Sequence, residues 1–180
     1  MSTVTTLSEL TGDYVLDTAR TRIGFGARHT MATRVRGRFE EFEGGAHLTG
    51  DDPSKSSARL TIQAKSIQTG NRRRDDHLRG TFLYVDDHPA LTFISTTVRS
   101  AGPAGFTVTG DLTIRGVTKP VTVDFELTSA EDDPRGGFRV RFTGRTTIDR
   151  NDWNVNWNAA TRIMVGPKVT LELDVTAIRR

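Results

Sequence analysis

Just beyond Pro120, apolar and polar side chains change places at every residue: Val121, Val123, Phe125 and Leu127 fall on one side, Thr122, Asp124 and Glu126 on the other. A period of two is that of a β-strand buried on one face only. The pattern recurs along the chain. Ile23, Phe25, Ala27 and His29 share a face, as do Ala58, Leu60, Ile62 and Ala64. So do Phe106, Val108, Leu112 and Ile114, with Gly110 between them; Phe138, Val140 and Phe142; and Val169, Leu171, Leu173 and Val175. Less regular strands are expected near Tyr14, from Val35 to Phe42 and from Leu91 to Val98. Turn residues separate them at Gly44-Gly45, Asp51-Asp52-Pro53, Gly102-Pro103, Asp133-Pro134 and Gly136-Gly137.

About eight antiparallel strands with one apolar face each, and little helix to cover them, leave two solutions. Two sheets stack as a sandwich, or one sheet closes into a barrel. A barrel of about eight strands has an interior just wide enough for side chains or for one small ligand, and periodicity does not distinguish full from hollow. With 180 residues the chain reads as one domain over residues 13–180, preceded by a short N-terminal tail over residues 1–12.

One stretch departs from the alternation. In NRRRDDHLRGTFLYVDDHP, starting at Asn71, the apolar residues Leu78, Phe82 and Val85 follow the i, i+4, i+7 spacing of a helix. Asn71 is placed to cap it, Asp75 and Asp76 lie near its positive end, and His88-Pro89 marks its limit. Leu78, Phe82 and Val85 are expected to face the sheet as a lid or plug.

The charges exclude several functions. With 25 basic and 22 acidic residues, net +3, the signs are interspersed, and Arg72-Arg73-Arg74 is followed at once by Asp75 and Asp76. No nucleic-acid partner is expected. Zero cysteines exclude disulfides, metal thiolates and thiol catalysis. The N-terminus MSTVTTLSEL has neither the basic nor the apolar region of a signal peptide, so a cytoplasmic location is expected. No run approaches the roughly 18 apolar residues of a membrane span.

Three constellations could carry chemistry. Asp75, Asp76 and His77, with Asp86, Asp87 and His88 farther on, could form a metal or acid–base site, but the spacing matches no strong metal motif, and neither GxSxG nor a phosphate loop is present. Neither a metal nor a catalytic residue is expected. His29 shares its face with Phe25 and Ala27, as a core residue or as a polar contact inside a cavity. In DRNDWNVNWN, Trp153, Val155 and Trp157 are expected on one strand face opposite Asp152, Asn154, Asn156 and Asn158, an arrangement that suits either a core strand or a sugar-binding surface.

Three motifs converge on one family. Arg74-Asp75-Asp76-His77-Leu78 fits R-D-x-H-L; GDLTIRGVTKPV, from Gly110, fits G-x-L-x-I-x-G-V-T-x-P-V; and IDRNDWNVNWN, from Ile148, fits I-x-R-x-D-aromatic-G-x-x-W-N. With YVLDTARTRIGFGARH at Tyr14 and KVTLELDVTAI near the C-terminus, the chain resembles the YceI-like proteins, lipocalin-like barrels that bind polyisoprenoid chains. Three positions depart from that pattern: His88 stands where an aromatic usually precedes the proline, Asn154 replaces a glycine, and Val165-Gly166-Pro167 stands where a more polar turn is common.

The resemblance implies an all-β fold, an eight-stranded antiparallel lipocalin-like barrel with a short helix near one mouth. It also implies a long apolar ligand, an isoprenoid quinone, a polyisoprenoid or a fatty-acyl lipid, bound without catalysis and without any cofactor other than that lipid. A homodimer is compatible with it. The expected ligand contacts are Phe25, His29, Phe39, His77, Leu78, Phe82, Phe93, Leu112, Phe142, Trp153 and Trp157, around one continuous cavity of several hundred Å³. Asp75 and His77 are expected to tie the helix to the barrel rim. The alternatives are a carbohydrate-binding β-module built on Trp153 and Trp157, and a hydrolase built on Asp75 and His77.

Overall fold

The computed structural model describes residues 7–29, 34–155 and 165–179. Eleven strand segments form one antiparallel sheet: β1 (Gly12–Leu16), β2 (Arg22–His29), β3 (Arg34–Phe39), β4 (Phe42–Leu48), β5 (Ser57–Gln63), β6 (Ile67–Gln68), β7 (Ala90–Ser100), β8 (Gly105–Ile114), β9 (Val117–Asp132), β10 (Phe138–Asp149) and β11 (Val165–Arg179). Six of these segments are halves of three interrupted strands. β1 and β2 lie end to end on β11, with Tyr14 opposite Arg179 and Ile23 opposite Leu173. β4 continues the strand begun by β3, and β6 the strand begun by β5, because β4 pairs with β1 and β5 while β3 pairs with β2 and β6. Counted so, the sheet is an eight-stranded up-and-down meander, and the β1–β11 pairing closes it into a barrel. Closure gives each of β7 to β11 a partner on both sides, and only the two-residue β6 is paired on one side alone among the described strands.

Buried hydroxyls mend the interruptions. Between β1 and β2, Thr21 Oγ1 donates to the Thr176 carbonyl at 3.1 Å and accepts from the Thr176 amide at 3.0 Å. Between β3 and β4, Ser66 Oγ accepts from the Glu40 amide at 3.2 Å. The turn thus falls at Glu40 and Glu41, and Gly44-Gly45, expected to punctuate, lies inside β4. Bulges add further breaks in the alternation on β7 and β9. Ser95 opposes Gly110 and Thr97 opposes Thr109, leaving Thr96 as the extra residue, so the inward series on β7 runs Leu91, Phe93, Val98. On β9 the register slips at Thr128, and Ala130 continues the buried face of Leu127.

The base of the barrel is plugged by a 3-10 turn, Leu7–Leu10, which the sequence assigns to the tail. Leu10 is 1% exposed, and its carbonyl accepts from the Tyr14 hydroxyl at 2.8 Å. Burial pushes the Tyr14 phenol above its ordinary value, with Arg179 opposing, so it remains a neutral donor. Arg179 Nη1 donates to the Glu9 and Thr11 carbonyls and ties the plug to β11.

At the other end sits α1 (Arg72–His77), with the Asn71 side chain accepting from the Arg74 amide at 3.0 Å as its cap. The helix is shorter than expected. A single π turn, Leu78–Phe82, follows it, closed by the Leu83 amide on the Leu78 carbonyl at 2.9 Å. The additional residue in that turn shifts the register by one. Leu83 is buried at the end of that turn; the side chain of Phe82, which the i, i+4 spacing placed toward the sheet, lies outside the described set.

Candidate functional site

The mouth is held by the first of the three motifs. Asp75, 3% exposed, accepts from both the amide (2.9 Å) and the hydroxyl (2.5 Å) of Thr69, which follows β6. Arg74 closes the loop from the other side, Nε donating to Thr69 Oγ1 and Nη2 to the Thr69 carbonyl, both at 2.8 Å. Arg79 adds Nε to the Lys65 carbonyl and Nη2 to the Ile67 carbonyl. α1 and its π turn are thus fastened to the rim through the carbonyls of Lys65, Ile67 and Thr69, in and on either side of the short β6.

The second and third motifs meet at the same end. Arg115 and Gly116, both at positive φ, make the tight turn from β8 to β9. Arg115 stacks over the Tyr84 ring at 4.1 Å and donates through Nη1 to the Asn154 carbonyl. Asn154 itself has φ 59°. That left-handed geometry accounts for glycine in the family pattern, and Asn is among the few other residues that tolerate it. Arg150 to Trp153 form a 3-10 turn capped by Asp149, so Trp153 is not on a strand face. Its ring is 2% exposed and its indole N–H donates to the Leu112 carbonyl at 2.9 Å. A sugar platform on Trp153 is thereby removed; Trp157 and Asn156 lie outside the described residues.

Within the barrel two chambers adjoin. The upper one, about 140 Å³, is lined by Phe25, Ala27, Val35, Ile67, Leu78, Leu83, Ile148, Val155 and Val169, with Arg74 and Arg150. The lower, about 220 Å³, reaches from Ile23 and Phe93 down past Leu112, Phe125 and Phe142 to Leu10 and Tyr14. Phe39, Leu91, Ile114 and Leu171 line both and form a waist. One continuous chamber was the expectation, and the two chambers adjoin through these four shared lining residues. Along β11 the lining residues run from Val169 to Ala177, about 27 Å of strand, or about 20 Å along a barrel axis at the usual tilt.

The lumen stays open because aromatic rings lie along the wall. Phe25 covers Gly37, Phe93 covers Gly110 and Phe125 covers Gly144, each on a neighbouring strand, and a Cβ at any of these glycines would come closer than 3.0 Å to the ring. The tilted Phe25–Phe39 pair (5.6 Å) and the edge-on Phe125–Phe142 (6.5 Å) and Phe106–Phe142 (5.8 Å) pairs continue this lining.

Of the expected contacts, Phe25 and Leu78 line the upper chamber, Phe93, Leu112 and Phe142 the lower, and Phe39 both. His77 and Trp153 line neither chamber. His29 pairs through its backbone with Val165, and nothing of its side chain is described. Leu83, Arg74 and Arg150 were missed. The spacing that could have revealed Leu83 was disguised by the π turn, and the two arginines stood in the family motifs without being named as ligand contacts. Among the described residues no cluster of three His, Cys, Asp or Glu side chains could hold a metal, and no helix is long and apolar enough to cross a membrane.

The YceI-like domain model matches residues 14–177. A UPF0312 protein of Pseudomonas aeruginosa (strain LESB58) is 37% identical over 162 residues, 88% of this chain and 81% of the relative. Among solved structures, Burkholderia cenocepacia BcnA superposes with a TM-score of 0.80 at 24% identity, covering 89% of this chain and 98% of that one. A polyisoprenoid binding domain from Saccharophagus degradans, implicated in plant cell wall breakdown, does so at 0.71 and 14% identity, covering 93% and 98%. At these identities the structural likeness is one of fold.

Proposed function

The chain belongs to the YceI-like family, and on that premise we propose that it is a non-catalytic protein that carries or sequesters one long apolar molecule along its barrel axis. An isoprenoid quinone, a polyisoprenoid or a fatty-acyl lipid has the required shape. The observation that carries this reading is the pair of apolar chambers end to end, joined at the Phe39 waist. The fold shared with a polyisoprenoid binding domain supports testing isoprenoids first.

Energetics favour a long ligand over a short one. Each buried CH2 contributes about 0.8 kcal/mol, while association and ordering cost on the order of 4 to 15 kcal/mol. A chain of a few carbons therefore binds poorly here, and one that fills both chambers binds well. A hydrolase on Asp75 and His77 is not supported, since Asp75 is committed to Thr69 and neither residue faces a chamber.

Native mass spectrometry of the purified protein, followed by solvent extraction, is the first experiment, with a bound lipid the expected result. Titration with isoprenoid alcohols of graded length is the second. Affinity is expected to climb with each unit and level off when the lower chamber is filled. Affinity independent of length, or preference for soluble glycans, overturns the reading.

A further inference from the structure

Toward the base, one part of the barrel wall is a loop where a strand would be expected. β5 pairs with β7 from Gln63 opposite Ala90 to Arg59 opposite Ile94. Beyond that last rung β7 runs on to Ser100, and its register there is with β8 alone. The Ala58 amide donates instead to a side chain, Ser95 Oγ, at 2.8 Å. The space beside this half of β7 is covered by residues 49–56, whose 3-10 turn Pro53–Lys55 packs against it. Among the described residues, the hydrogen bonds of this cover stay within it or run to His47 and Thr11, as in the Thr49 amide on Ser56 Oγ and the Gly50 amide on Thr11 Oγ1. The cover thus rests on β7 without being laced to it. The lower chamber reaches it from inside, since Thr49, Gly50, Ser56, Ser57, Ala58 and Arg59 all line that chamber. Among the described residues that line the lower chamber, only Ser57 and Arg59 are exposed. Here the chamber meets solvent.

Resting on the lipid-binding reading above, we propose that this gap is a side portal, through which the tail of an isoprenoid chain longer than the lumen leaves the barrel and settles on Ile94. A chain leaving between two paired strands would have to break ladder hydrogen bonds and leave amides and carbonyls without partners. At the gap it has only to displace a loop that holds itself together. The base offers no such path, because the Leu7–Leu10 turn is tied down by the Tyr14 hydroxyl and by Arg179. Outside the gap, at the last β5–β7 rung, Ile94 is 59% exposed. It is an apolar foothold for an emerging tail, and covering it removes apolar surface from water. A closed lumen would set an upper limit on chain length. With a side portal, affinity levels off once the lumen is filled, and still longer chains are accepted.

The test compares geranylgeraniol, of four isoprene units, with solanesol, of nine, by tryptophan fluorescence titration on wild type, Ser57→Trp and Ile94→Ser. A nine-unit alcohol carrying a diazirine at its tail end is then photo-cross-linked to wild type and the labelled residues are identified by peptide mass spectrometry. Wild type is expected to bind solanesol at least as tightly as geranylgeraniol, and the tail label to fall on residues 49–57 and Ile94. Ser57→Trp puts a large side chain at the exposed rim; it is expected to weaken solanesol roughly 10-fold or more and to leave geranylgeraniol within about two-fold. Ile94→Ser is expected to weaken solanesol alone, by roughly 3- to 10-fold. Rejection of solanesol by wild type that binds geranylgeraniol overturns the portal and leaves lipid binding intact. Labels confined to the lumen, as at Leu112 or Leu83, or to the Leu7–Leu10 turn do the same, since the chain is then folded inside or leaves past the plug. Failure of both alcohols to bind overturns lipid binding and the portal together. Should Ser57→Trp fail to fold, the labelled positions on wild type decide the matter.

Discussion

Replacing Asp75 by Ala removes the acceptor on which the mouth depends. The carboxylate is 3% exposed and takes both the amide and the hydroxyl of Thr69. Stranding a buried donor costs roughly 1–3 kcal/mol. Thr69 is half-buried, so water recovers part of one bond but not both. Arg74, which reaches Thr69 twice, loses a preorganised partner as well. We expect a loss of about 2–3 kcal/mol, which for a domain of this size is a fall in Tm of about 4–12 °C. The assay is thermal and urea unfolding of Asp75→Ala, Thr69→Val and the double variant. Because both variants remove the same contact, the cycle should show a coupling of about 1–3 kcal/mol. Strict additivity, or an Asp75→Ala variant within about 0.5 kcal/mol of wild type, refutes the lock. An ester or glycoside turnover abolished by Asp75→Ala at unchanged stability would instead make the residue catalytic.

Two further outcomes follow from the lumen and the outer wall. Leu171→Trp adds bulk at a residue lining both chambers; it should leave short isoprenoid alcohols bound as before and abolish the gain from longer ones, at an overpacking cost of about 1–3 kcal/mol, as read by the same length series. Arg141 donates from Nε and Nη2 to Asp174 at 2.8 and 2.5 Å, and this hydrogen bonding holds the carboxyl below its ordinary value of 3.8. A folded value below the unfolded one stabilises at neutral pH and is lost as pH falls from about 4 through the folded value. The Tm deficit of Asp174→Asn should therefore be present at pH 7, small because both side chains are more than a third exposed, and absent in strong acid.

Much of the barrel is legible in the chain because each buried face is written locally, as in Val121, Val123, Phe125 and Leu127. What the alternation hides are the slips. Thr96 and Thr128 are ordinary strand residues, and nothing in their chemistry marks them as bulges; only the partner strand, Gly110 opposite Ser95 or Phe142 opposite Leu127, sets the register. The π turn after α1 is hidden in the same way, since helical spacing assumes that the winding does not change, and it leaves the burial of Leu83 unannounced. Trp153 follows Asp149, whose carboxylate accepts from the Asn151 amide and turns the chain out of β10. An Asp capping signal was present in DRND, but the alternating tryptophans spoke for a strand. Arg74 and Arg150 stand in the family motifs, yet their place in the chamber wall was not read from them, for a different reason. Arginine on a mostly stranded surface reads as solvated charge, and only the closed barrel shows that Arg74 and Arg150 lie against the upper chamber and Arg59 against the lower.

The same limit applies to the glycines, and it yields the sharpest test of why this barrel is hollow. Gly110 reads as a gap in an otherwise apolar face, yet in three dimensions it is where the ring of Phe93 rests. Gly37 and Gly110 are crowded by backbone as well as by ring, with the Gln68 and Ile94 carbonyl oxygens at 2.7 and 2.6 Å from a Cβ placed there, so their replacement disturbs the sheet itself. Gly144 differs. The three nearest atoms to its Cβ position all belong to the Phe125 ring, at 2.5, 2.6 and 3.2 Å. In Gly144→Ala the strands can stay paired and the ring must give way. Leaning outward is blocked by the wall, and the edge contact with Phe142 limits rotation, so the ring is driven into the lower chamber, which it already lines. The variant should fold with a loss of about 1–3 kcal/mol and hold a shorter chain. Gly144→Ala/Phe125→Leu, which removes the offending ring, should recover length tolerance while losing aromatic packing. If Gly144→Ala binds the longest isoprenoids as wild type does, rings seated on glycine are not what keeps the lumen open.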